Sequence, residues 1–462
     1  MQSNNVIRIS ALALAVAGGL AIGQAHASGF QLKENSVKAM GRAFAGSGAV
    51  SGDASVVANN PAAMSTFKKS TVQADVTIVD LKADFAGGGS AAAGSPLQQP
   101  LSGSNGGDAG DTTPIPALSA IFPMGDSGVT LGAMVSAPFG LKTEYEPTWV
   151  GRYTAIKSEV KTVDLTLAAS FDFGGDVSFG LGLVYERAEA TLSKAIDFGS
   201  RICSINVALC LTPNPVQAPY GPQKNDGTIE VTGDDTGIGW IAGMHIHPSE
   251  DFSLGFSHRS EIEHDIEGTA DFSVPANVSP LLAIGAPGQF VDTGGGASLT
   301  TPSVDTISVA YDINDQFTVM GDWSYTQWSS LQEVAIQFQN PLQQPNPAVE
   351  EFQWTDTSFW SIGAEYALND QWTLRAGYAQ DQSPTRNETR TPRLPDADRQ
   401  WLSIGATWAP SEHWEISAGY TRIETDDPTV ALAPSLATSG STLVGTYDAN
   451  VNLWGLSGQY RF

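Results

Sequence analysis

The sequence predicts an all-β membrane protein: a 14-stranded antiparallel transmembrane β-barrel with an N-terminal hatch of short helical turns inside its lumen. Three observations lead to this prediction. Apolar and polar residues alternate with a period of two, short and long connections alternate along the chain, and aromatic residues gather toward the ends of the alternating segments. A soluble two-layered sheet also alternates, but it gives no reason for its connections to be sorted by length.

The first residues indicate the compartment. Arg8 precedes an apolar run over residues 9–22, and an Ala-x-Ala pattern ends at Ala27. This combination is typical of a secretory signal peptide, so we expect residues 1–27 to be removed. The run is too short for a membrane anchor, which takes about 20 consecutive apolar residues.

The composition excludes several classes of partner. The chain has 23 Lys and Arg against 49 Asp and Glu, and this acidic excess argues against binding to nucleic acid. Cys203 and Cys210 lie seven residues apart in one connection and are predicted to form a disulfide. A metal site is the weaker alternative because the six histidines do not cluster with them, so we expect neither a metal nor a cofactor.

Alternation marks fourteen candidate strands. In residues 177–185 the odd-numbered residues are apolar or aromatic, whereas most even-numbered ones are small or polar. A strand sorts such residues onto two faces, and a helix would scatter them. The predicted strands span residues 70–86, 112–123, 128–137, 153–173, 176–197, 227–247, 252–271, 297–312, 315–336, 352–368, 371–382, 398–409, 412–424 and 443–462.

The connections between these strands are alternately long and short. The short ones lie at residues 124–127, 174–175, 248–251, 314–315, 369–370 and 410–412, and the long ones at 87–111, 138–152, 198–226, 272–296, 337–351, 383–397 and 425–442. Tight periplasmic turns and long external loops follow one another in this way around an outer-membrane barrel. An even number of strands closes without a free edge, so residues 70–462 are assigned to the barrel.

Aromatic residues near the strand ends are expected at the lipid headgroup boundary. They include Trp323, Tyr325, Trp372, Tyr378, Trp401, Trp408, Trp454 and Tyr460. The last strand ends on Phe462, through which we expect the barrel assembly machinery to recognise the chain.

Residues 28–69 precede the first strand, are rich in Gly and Ala, and do not alternate. A disordered tail and a plug inside the lumen both fit this composition. The plug is favoured because a fourteen-stranded ring encloses more space than its own side chains fill. Pro61 keeps Asn60 out of the helical region and leaves the Asn60 amide free to cap a neighbouring segment.

Four groups of motif residues are spread in order over nearly the whole chain. They are Gly29-Phe30-Gln31-Leu32 with Gly41-Arg42-Ala43-Phe44, Asp53-Ala54 and Asn60-Pro61-Ala62, then Phe139-Gly140-Leu141 through Glu144-Tyr145, then residues 323–329, and finally residues 381–384 with 395–403. Together they resemble the FadL family of outer-membrane transporters, which import long-chain fatty acids and related hydrophobic compounds.

The resemblance implies a route for the substrate. In the family the Asn-Pro-Ala turn, here Asn60-Pro61-Ala62, sits against an inward kink of the third strand, here expected around Pro138, Phe139 and Gly140. The kink opens a gap through which the substrate leaves sideways into the membrane. Pro138 supports a break in the strand because proline cannot donate to a ladder, although by itself it could equally start a loop.

The candidate substrate-binding residues lie in the hatch, on one strand and in an external loop: Phe30, Leu192, Lys194, Leu281, Leu282 and Phe290. Lys194 is a candidate partner for a carboxylate, and a lysine on a solvated rim is the alternative. A lysine that family members use after the Trp-Ser motif has no counterpart in residues 331–335, which leaves a free fatty acid and a neutral hydrophobe both open. The apolar loop 272–296 either captures substrate or packs against loop 198–226.

The predicted function is passive uptake of long-chain fatty acids or similar hydrophobic small molecules by external capture, lumen binding and lateral release. Uptake of aromatic hydrocarbons by a channel of the same family is the first alternative, and a non-selective porin or adhesin with a structural plug is the second. No catalytic motif is assembled, so we do not expect an enzyme. We expect a monomer in the bacterial outer membrane, in contact with its lipid and lipopolysaccharide.

Overall fold

The computed structural model describes residues 29–174, 176–211 and 219–462. Within these residues, fourteen antiparallel strands close into one barrel, which confirms the predicted fold class. The predicted signal peptide, residues 1–27, lies outside the described residues. Each predicted strand overlaps one observed strand, although several strands are interrupted.

The strands are numbered here in chain order. They are β1 Thr71–Gly88, β2 Thr112–Pro123, β3 Val129–Ser136 with Gly140–Glu144, β4 Lys157–Asp172, β5 Val177–Asp197, β6 Asp226–Ser249, β7 Phe252–Arg259 with Ile262–Ser273, β8 Thr293–Thr301 with Val304–Asn314, β9 Phe317–Thr326 with Glu333–Phe338, β10 Ala348–Glu351 with Thr357–Asn369, β11 Trp372–Asp381, β12 Arg399–Trp408, β13 Trp414–Thr425 with Thr429–Leu432, and β14 Leu443–Arg461.

The ring closes because the first strand is paired on both edges. β1 pairs with β14 along its whole length, starting with Thr71 opposite Arg461. It also pairs with β2 as far as Asp80 opposite Thr112. Closure of this kind removes the free edge that an open sheet would expose to lipid.

Short helices lie in the hatch and in the external loops. The hatch contains α1 Val37–Met40, α2 Val56–Asn59 and a 3₁₀ turn at Pro61–Thr66, and two of the long loops contain α3 Phe198–Ile205 and α4 Ser279–Gly285. Further 3₁₀ turns span Gly125–Ser127, Val207–Leu209 and Trp328–Ser330. Two strands of two residues each, Ser90–Ala91 and Gln99–Pro100, pair as a separate small hairpin. Among the described residues, none of the helices has the length and apolar composition that a membrane-crossing helix needs.

The two faces of a strand meet different surroundings, as the alternation predicts. On β5, Phe179, Leu181, Leu183 and Tyr185 are between 47% and 65% exposed, whereas Val184 is 1% exposed. The exposed row faces lipid, and the opposite row faces the lumen.

Most of the tryptophans predicted at the membrane boundary point outward. Those with exposed rings are Trp323, Trp372, Trp408 and Trp454. The expectation for Trp401 is wrong, because its position on β12 faces inward. Its ring is fully buried and lies 6.0 Å from the rings of Phe44 and Phe359.

The hatch, residues 29–69, fills much of the barrel interior. Helix α1 packs against β12, β13 and β14, and the turn Pro61–Thr66 packs against β4, β5 and β6. Glycine on the inner wall permits this close approach: a Cβ on Gly180 would lie 2.2 Å from the backbone nitrogen of Ala62. The small residues of the hatch therefore match small residues on the wall.

Candidate functional site

An apolar cavity of about 110 Å³ lies in the lumen between the hatch and the external loops. Its apolar lining includes Phe30, Leu141, Leu192, Ile266, Phe352 and Trp354. Among the described residues that line it, only Glu350 and Arg393 carry a charge. The cavity can therefore hold an apolar chain and offers charged groups at one place. Two predicted substrate-binding residues, Phe30 and Leu192, lie here.

Phe30 joins this lumen cavity to the barrel wall. Its ring centroid lies 4.8 Å from that of Trp328 and 5.8 Å from those of Phe139 and Trp354. Aromatic pairs of this kind contribute about 0.5–1.5 kcal/mol each beyond the burial of their surface. The carbonyl oxygen of Phe30 also accepts a hydrogen bond from Gly140 N at 2.7 Å, so the residue that borders the cavity is bound to β3.

A larger cavity of about 1280 Å³, which we call the vestibule, lies among the long loops. Its lining includes Lys194, Phe290 and residues 432–440. Five of the described residues line both cavities: Leu192, Val231, Ile336, Glu350 and Arg393. A molecule that passes from the vestibule to the lumen cavity must pass these five residues, which we call the neck.

Lys194 lies beyond the membrane-spanning part of β5. It is nine residues past Tyr185, the last of the lipid-facing row, which is roughly 30 Å along a strand that rises about 3.3 Å per residue. Before that point, Arg187 on the outer face already pairs with Asp234 at 3.3 Å. Charged pairs of this kind belong outside the hydrocarbon layer.

The environment of Lys194 brings the pKa of its side chain close to neutral pH. Its Nζ donates a hydrogen bond to the carbonyl oxygen of Ala437 at 2.6 Å, and an ammonium has two further protons to donate. Burial lowers the pKa of Lys194 to about 8, with a smaller lowering from Arg393 that Glu350 partly offsets. Lys194 therefore changes its charge close to neutral pH.

The apolar residues of the external loop 272–296 are divided between a loop core and the vestibule. Leu282 is buried in a cluster with Phe198 of the neighbouring loop, and Leu281 packs against the same cluster. Phe290 lines the vestibule, and its ring centroid lies 5.0 Å from that of Phe198. Of the three predicted loop contacts, the structure therefore places only Phe290 in a described cavity.

Cys203 and Cys210 form a disulfide in the loop that follows β5. The bond joins α3 to the residue that follows the turn Val207–Leu209. Because Cys203 itself lines the vestibule, the disulfide holds part of the vestibule wall.

The third strand is broken where the resemblance implies a kink. β3 stops at Ser136 and resumes at Gly140, so that Pro138 and Phe139 lie in the break. On the β4 side the chain stays attached, because Thr162 N donates to the carbonyl oxygen of Phe139 at 2.9 Å. The break therefore affects the other edge of β3.

In the break, the hatch acts as the neighbouring strand. Leu32 N donates to the carbonyl oxygen of Pro138, and Gly140 N donates to the carbonyl oxygen of Phe30, both at 2.7 Å. These two bonds satisfy backbone groups that the interruption would otherwise leave unpaired.

Above the break, β3 and β2 are separated. β2 pairs with β3 only from Leu118, opposite Val135, to Pro123. The upper segment Gly140–Glu144 pairs with β4. Among the described residues, no ladder joins it to residues 112–117 of β2, so the barrel wall has a gap there.

Two prolines line the β2 side of this gap. Leu81 N donates to the carbonyl oxygen of Asp111 at 3.1 Å, so the backbone groups of Asp111 point toward β1. Successive residues of a strand direct their hydrogen-bonding groups to opposite sides, so those of the odd-numbered residues here point to β1 and those of the even-numbered ones point away from it. Pro114 and Pro116 therefore face β3, where neither can donate to a ladder. An ion pair of Lys142 with Asp111 crosses the upper end of the gap. The prolines are a sequence signal for the gap that alternation does not reveal.

The Asn60-Pro61-Ala62 turn is buried inside the barrel and organises a different part of the hatch. The Asn60 Nδ2 donates to the carbonyl oxygens of Gly48 at 2.8 Å and of Met244 at 3.1 Å. The amide therefore caps both the hatch itself and β6, in agreement with the role expected from its sequence context.

The expectation that this turn sits against the kink does not match the structure. The carbonyl oxygen of Ala62 accepts a hydrogen bond from Ser170 Oγ on β4, whereas the kink residue Phe139 is bonded to Thr162 on the same strand. These two anchor points are eight residues apart, or roughly 26 Å at about 3.3 Å per residue. The part of the hatch that reaches the kink is Phe30 to Leu32, and depth in the barrel cannot be read from the motif alone.

A buried ionic cluster lies beside the kink. Arg259 Nη1 lies 2.7 Å from Asp164 Oδ2, and its Nη2 lies 2.9 Å from Glu186 Oε2. His264 Nε2 lies 3.0 Å from the other oxygen of Glu186. The guanidinium carbon of Arg259 is 5.9 Å from the centroid of the Phe139 ring, so the cluster supports the inner side of the kink.

Comparison with known proteins gives consistent matches over most of the chain. A family model described as outer membrane protein transport protein (OMPP1/FadL/TodX) matches residues 18–462. The long-chain fatty acid transport protein of Escherichia coli O6:H1 is 29% identical over 413 residues, covering 87% of either chain. The outer membrane protein P1 of Haemophilus influenzae is 30% identical over 402 residues, covering 84% of either chain.

Solved structures show the same architecture. A Pseudomonas aeruginosa FadL homologue superposes with a TM-score of 0.84 at 25% identity, covering 94% of this chain and all of the other. The Ralstonia pickettii toluene transporter TbuX superposes with a TM-score of 0.60 at 17% identity, covering 94% and 99% of the two chains, and shares the fold.

Proposed function

Because the chain belongs to the FadL family of outer-membrane transport proteins, we propose that it takes up long-chain fatty acids or similar hydrophobic molecules and releases them sideways into the membrane. The protein is a multi-pass protein of the bacterial outer membrane, and its class is that of a transporter and not of an enzyme.

One observation supports this proposal more than any other. An apolar cavity lies beside a gap in the barrel wall, and the hatch segment that borders the cavity is the segment that pairs with the broken strand. A channel for hydrophilic solutes has no use for a lateral opening toward lipid. A hydrophobic solute does, because it gains about 0.8 kcal/mol for each CH₂ group transferred from water to the membrane.

The proposed route has three steps. The substrate is captured in the vestibule, where Phe290 offers an apolar surface and Lys194 a positive charge. Its apolar part then passes the neck into the lumen cavity against Phe30. Displacement of residues 30–32 from β3 opens the gap between β2 and β3, and the substrate moves down its gradient into the lipid. The transfer of the tail from water to lipid makes the overall process favourable.

The uptake function is tested in a strain that lacks the protein. Re-expression should restore uptake of radiolabelled oleate at low external concentration, with radiolabelled toluene as a second arm. Oleate uptake that does not depend on the protein would overturn the proposal. Restoration of toluene uptake alone would reassign the substrate to neutral hydrocarbons.

A deletion of residues 28–69 separates gated uptake from an open porin. The intact protein in liposomes should not conduct sugars, because the hatch fills the lumen, and the deletion variant should leak them. A sugar flux through the intact protein as large as that through the deletion variant would favour the porin with a structural plug.

We also propose that one chain forms the functional unit, because its own hatch packs against the inner wall of its barrel. The lipid-facing row on β5 and the ion pair of Arg187 above it suit contact with acyl chains and with charged lipopolysaccharide, respectively. Phe462 is half exposed beside Tyr460, with 5.0 Å between ring centroids, which suits recognition by the barrel assembly machinery.

A further inference from the structure

The neck between the vestibule and the lumen cavity contains one ion pair in otherwise apolar surroundings. Leu192, Val231 and Ile336 provide the apolar surface, and Arg393 Nε lies 2.8 Å from Glu350 Oε2. An amphiphile that inserts its tail into the lumen cavity would bring its head group to this place.

Arg393 is held rigidly in the neck. Its Nη1 donates to Ser158 Oγ at 3.1 Å and to the carbonyl oxygen of Lys157 at 3.3 Å, and its side chain is 8% exposed. A buried guanidinium needs a negatively charged partner, because an unpaired charge is strongly unfavourable away from water. The backbone and Ser158 position the guanidinium but do not neutralise it.

The partner that neutralises Arg393 is held much more loosely. Glu350 lies on the short segment Ala348–Glu351, which pairs with residues 333–336 of β9. Its side chain is 26% exposed and faces both cavities, and among the described residues its Oε1 accepts only a long hydrogen bond of 3.4 Å from Thr391 Oγ1, so the carboxylate can move toward the vestibule. The ion pair thus joins a fixed cation to a carboxylate at the entrance.

We infer that Arg393 is the binding site for the carboxylate of an anionic amphiphile and that Glu350 occupies this site until the substrate displaces it. The inference rests on the proposed uptake function and specifies its substrate class.

The exchange leaves no charge unpaired. When the substrate carboxylate takes the place of Glu350 at Arg393, the released Glu350 carboxylate turns toward the vestibule. Lys194, two residues from Leu192 on β5, lies on that side of the neck. A neutral hydrophobe cannot perform this exchange and passes the neck with the Arg393–Glu350 pair in place.

The two members of the pair should respond in opposite ways to substitution. Arg393→Met removes the cation and should weaken oleate binding about tenfold to hundredfold, the range for hydrogen bonds to charged groups. Glu350→Gln removes the competing carboxylate and should strengthen oleate binding. In the Glu350→Gln, Arg393→Met double variant, the gain from Glu350→Gln should disappear, because the cation for which the two carboxylates compete is absent.

The experiment measures equilibrium binding of radiolabelled oleate and of radiolabelled oleyl alcohol to the full chain in amphipol. Oleyl alcohol has the same chain with a neutral head and should bind equally well to all variants. Arg390→Gln is the matched control, since Arg390 is a buried arginine of the same loop and lines neither cavity. Arg393→Lys keeps the positive charge, so its affinity for oleate should lie between those of the wild type and of folded Arg393→Met.

The outcomes distinguish this inference from the proposed function. Wild-type protein that binds neither ligand would contradict the uptake function itself. Wild-type binding of both ligands, with equal losses for oleate and oleyl alcohol in Arg393→Met, would overturn the head-group site alone. A weaker affinity for oleate in Glu350→Gln would show that Glu350 positions Arg393 and would overturn the displacement.

Discussion

Raising the pH from 7 to 9 should weaken the capture of fatty acids, because Lys194 loses its proton in this interval. Its side chain lines the vestibule, outside the membrane-spanning part of β5, and burial lowers its pKa to about 8. The protonated form attracts a carboxylate, and the neutral form does not. The positive charge is therefore present below pH 8 and absent above it.

The size of the effect follows from this pKa. With a pKa of about 8, the protonated fraction of Lys194 falls from roughly 0.9 at pH 7 to roughly 0.1 at pH 9. If the ammonium is required for capture, the initial rate of oleate capture should fall by nearly tenfold over these two pH units. The midpoint should lie near pH 8.

Two substitutions isolate this effect from other titrating groups. Lys194→Arg carries a charge at every pH tested, and Lys194→Met carries none. The capture of oleate by purified protein is measured by stopped-flow fluorescence of a displaced probe. In both variants, the capture rate should lack the pH dependence that comes from ionisation of Lys194. The wild type should match the arginine variant at pH 7 and approach the methionine variant at pH 9.

Ratios between proteins at each pH decide the result, because the ionisation of oleate contributes equally to all three proteins. A ratio of wild type to Lys194→Arg that does not change between pH 7 and 9 would refute the reasoning. Lys194 would then be a solvated rim residue with no part in capture.

Three further predictions concern the hatch. Gln31 and Phe139 are directly opposite in an antiparallel bridge, so a Gln31→Cys, Phe139→Cys variant should form a disulfide that blocks oleate uptake until it is reduced. Asn60→Ala leaves one buried and one partly buried carbonyl oxygen without their donor and should lower the free energy of unfolding in detergent by about 2–4 kcal/mol. Gly180→Val should displace the hatch, because its Cβ would lie 2.2 Å from Ala62 N, and should make the hatch sensitive to added protease.

Each of these predictions has a control within the chain. Gln31→Cys alone, treated with the same reductant, accounts for reduction of the Cys203–Cys210 disulfide, and rapid uptake by the oxidised double variant would contradict the lateral route. Asn59→Ala removes a partly buried neighbouring amide and should perturb unfolding less than the loss of Asn60. Gly458 has no atoms within 4 Å of its hypothetical Cβ, so Gly458→Val should leave the protease pattern unchanged. Equal effects of Asn60→Ala and Asn59→Ala, or of Gly180→Val and Gly458→Val, would count against the contacts stated for Asn60 and Gly180.

The fold could be predicted from the sequence because each strand meets two different environments. Lipid on one side of β5 requires Leu181 and Leu183, and the crowded interior on the other side requires residues such as Gly180. A period of two follows directly from that contrast. The rule fails where an aromatic residue faces inward: Trp401 satisfies the composition expected of a boundary residue but packs against the hatch.

The candidate site was less predictable because it depends on contacts between distant segments. The even-numbered residues of β5 share the lumen face, which predicts that Leu192 and Lys194 face the lumen, and the structure puts both of them on cavity walls. Arg393 could not be identified in this way, since it lies in a long loop where no periodicity relates a residue to the lumen. An arginine-rich loop in an acidic chain was the available signal, with three arginines between residues 386 and 393.

In the proposed route, the hatch leaves β3 and β2 does not pair with β3 in its place. Pro114 and Pro116 lack the N–H groups that β2 would need to replace the hatch as the partner of β3. The hatch is held there by two backbone hydrogen bonds, which contribute about 0.5–1.5 kcal/mol each, and by the aromatic contacts of Phe30 with the barrel wall. One of them ends on the carbonyl oxygen of Phe30, whose ring borders the lumen cavity. In the proposed route, a tail that fills the cavity must move that ring, and occupancy of the cavity is thereby linked to opening of the gap through a single residue.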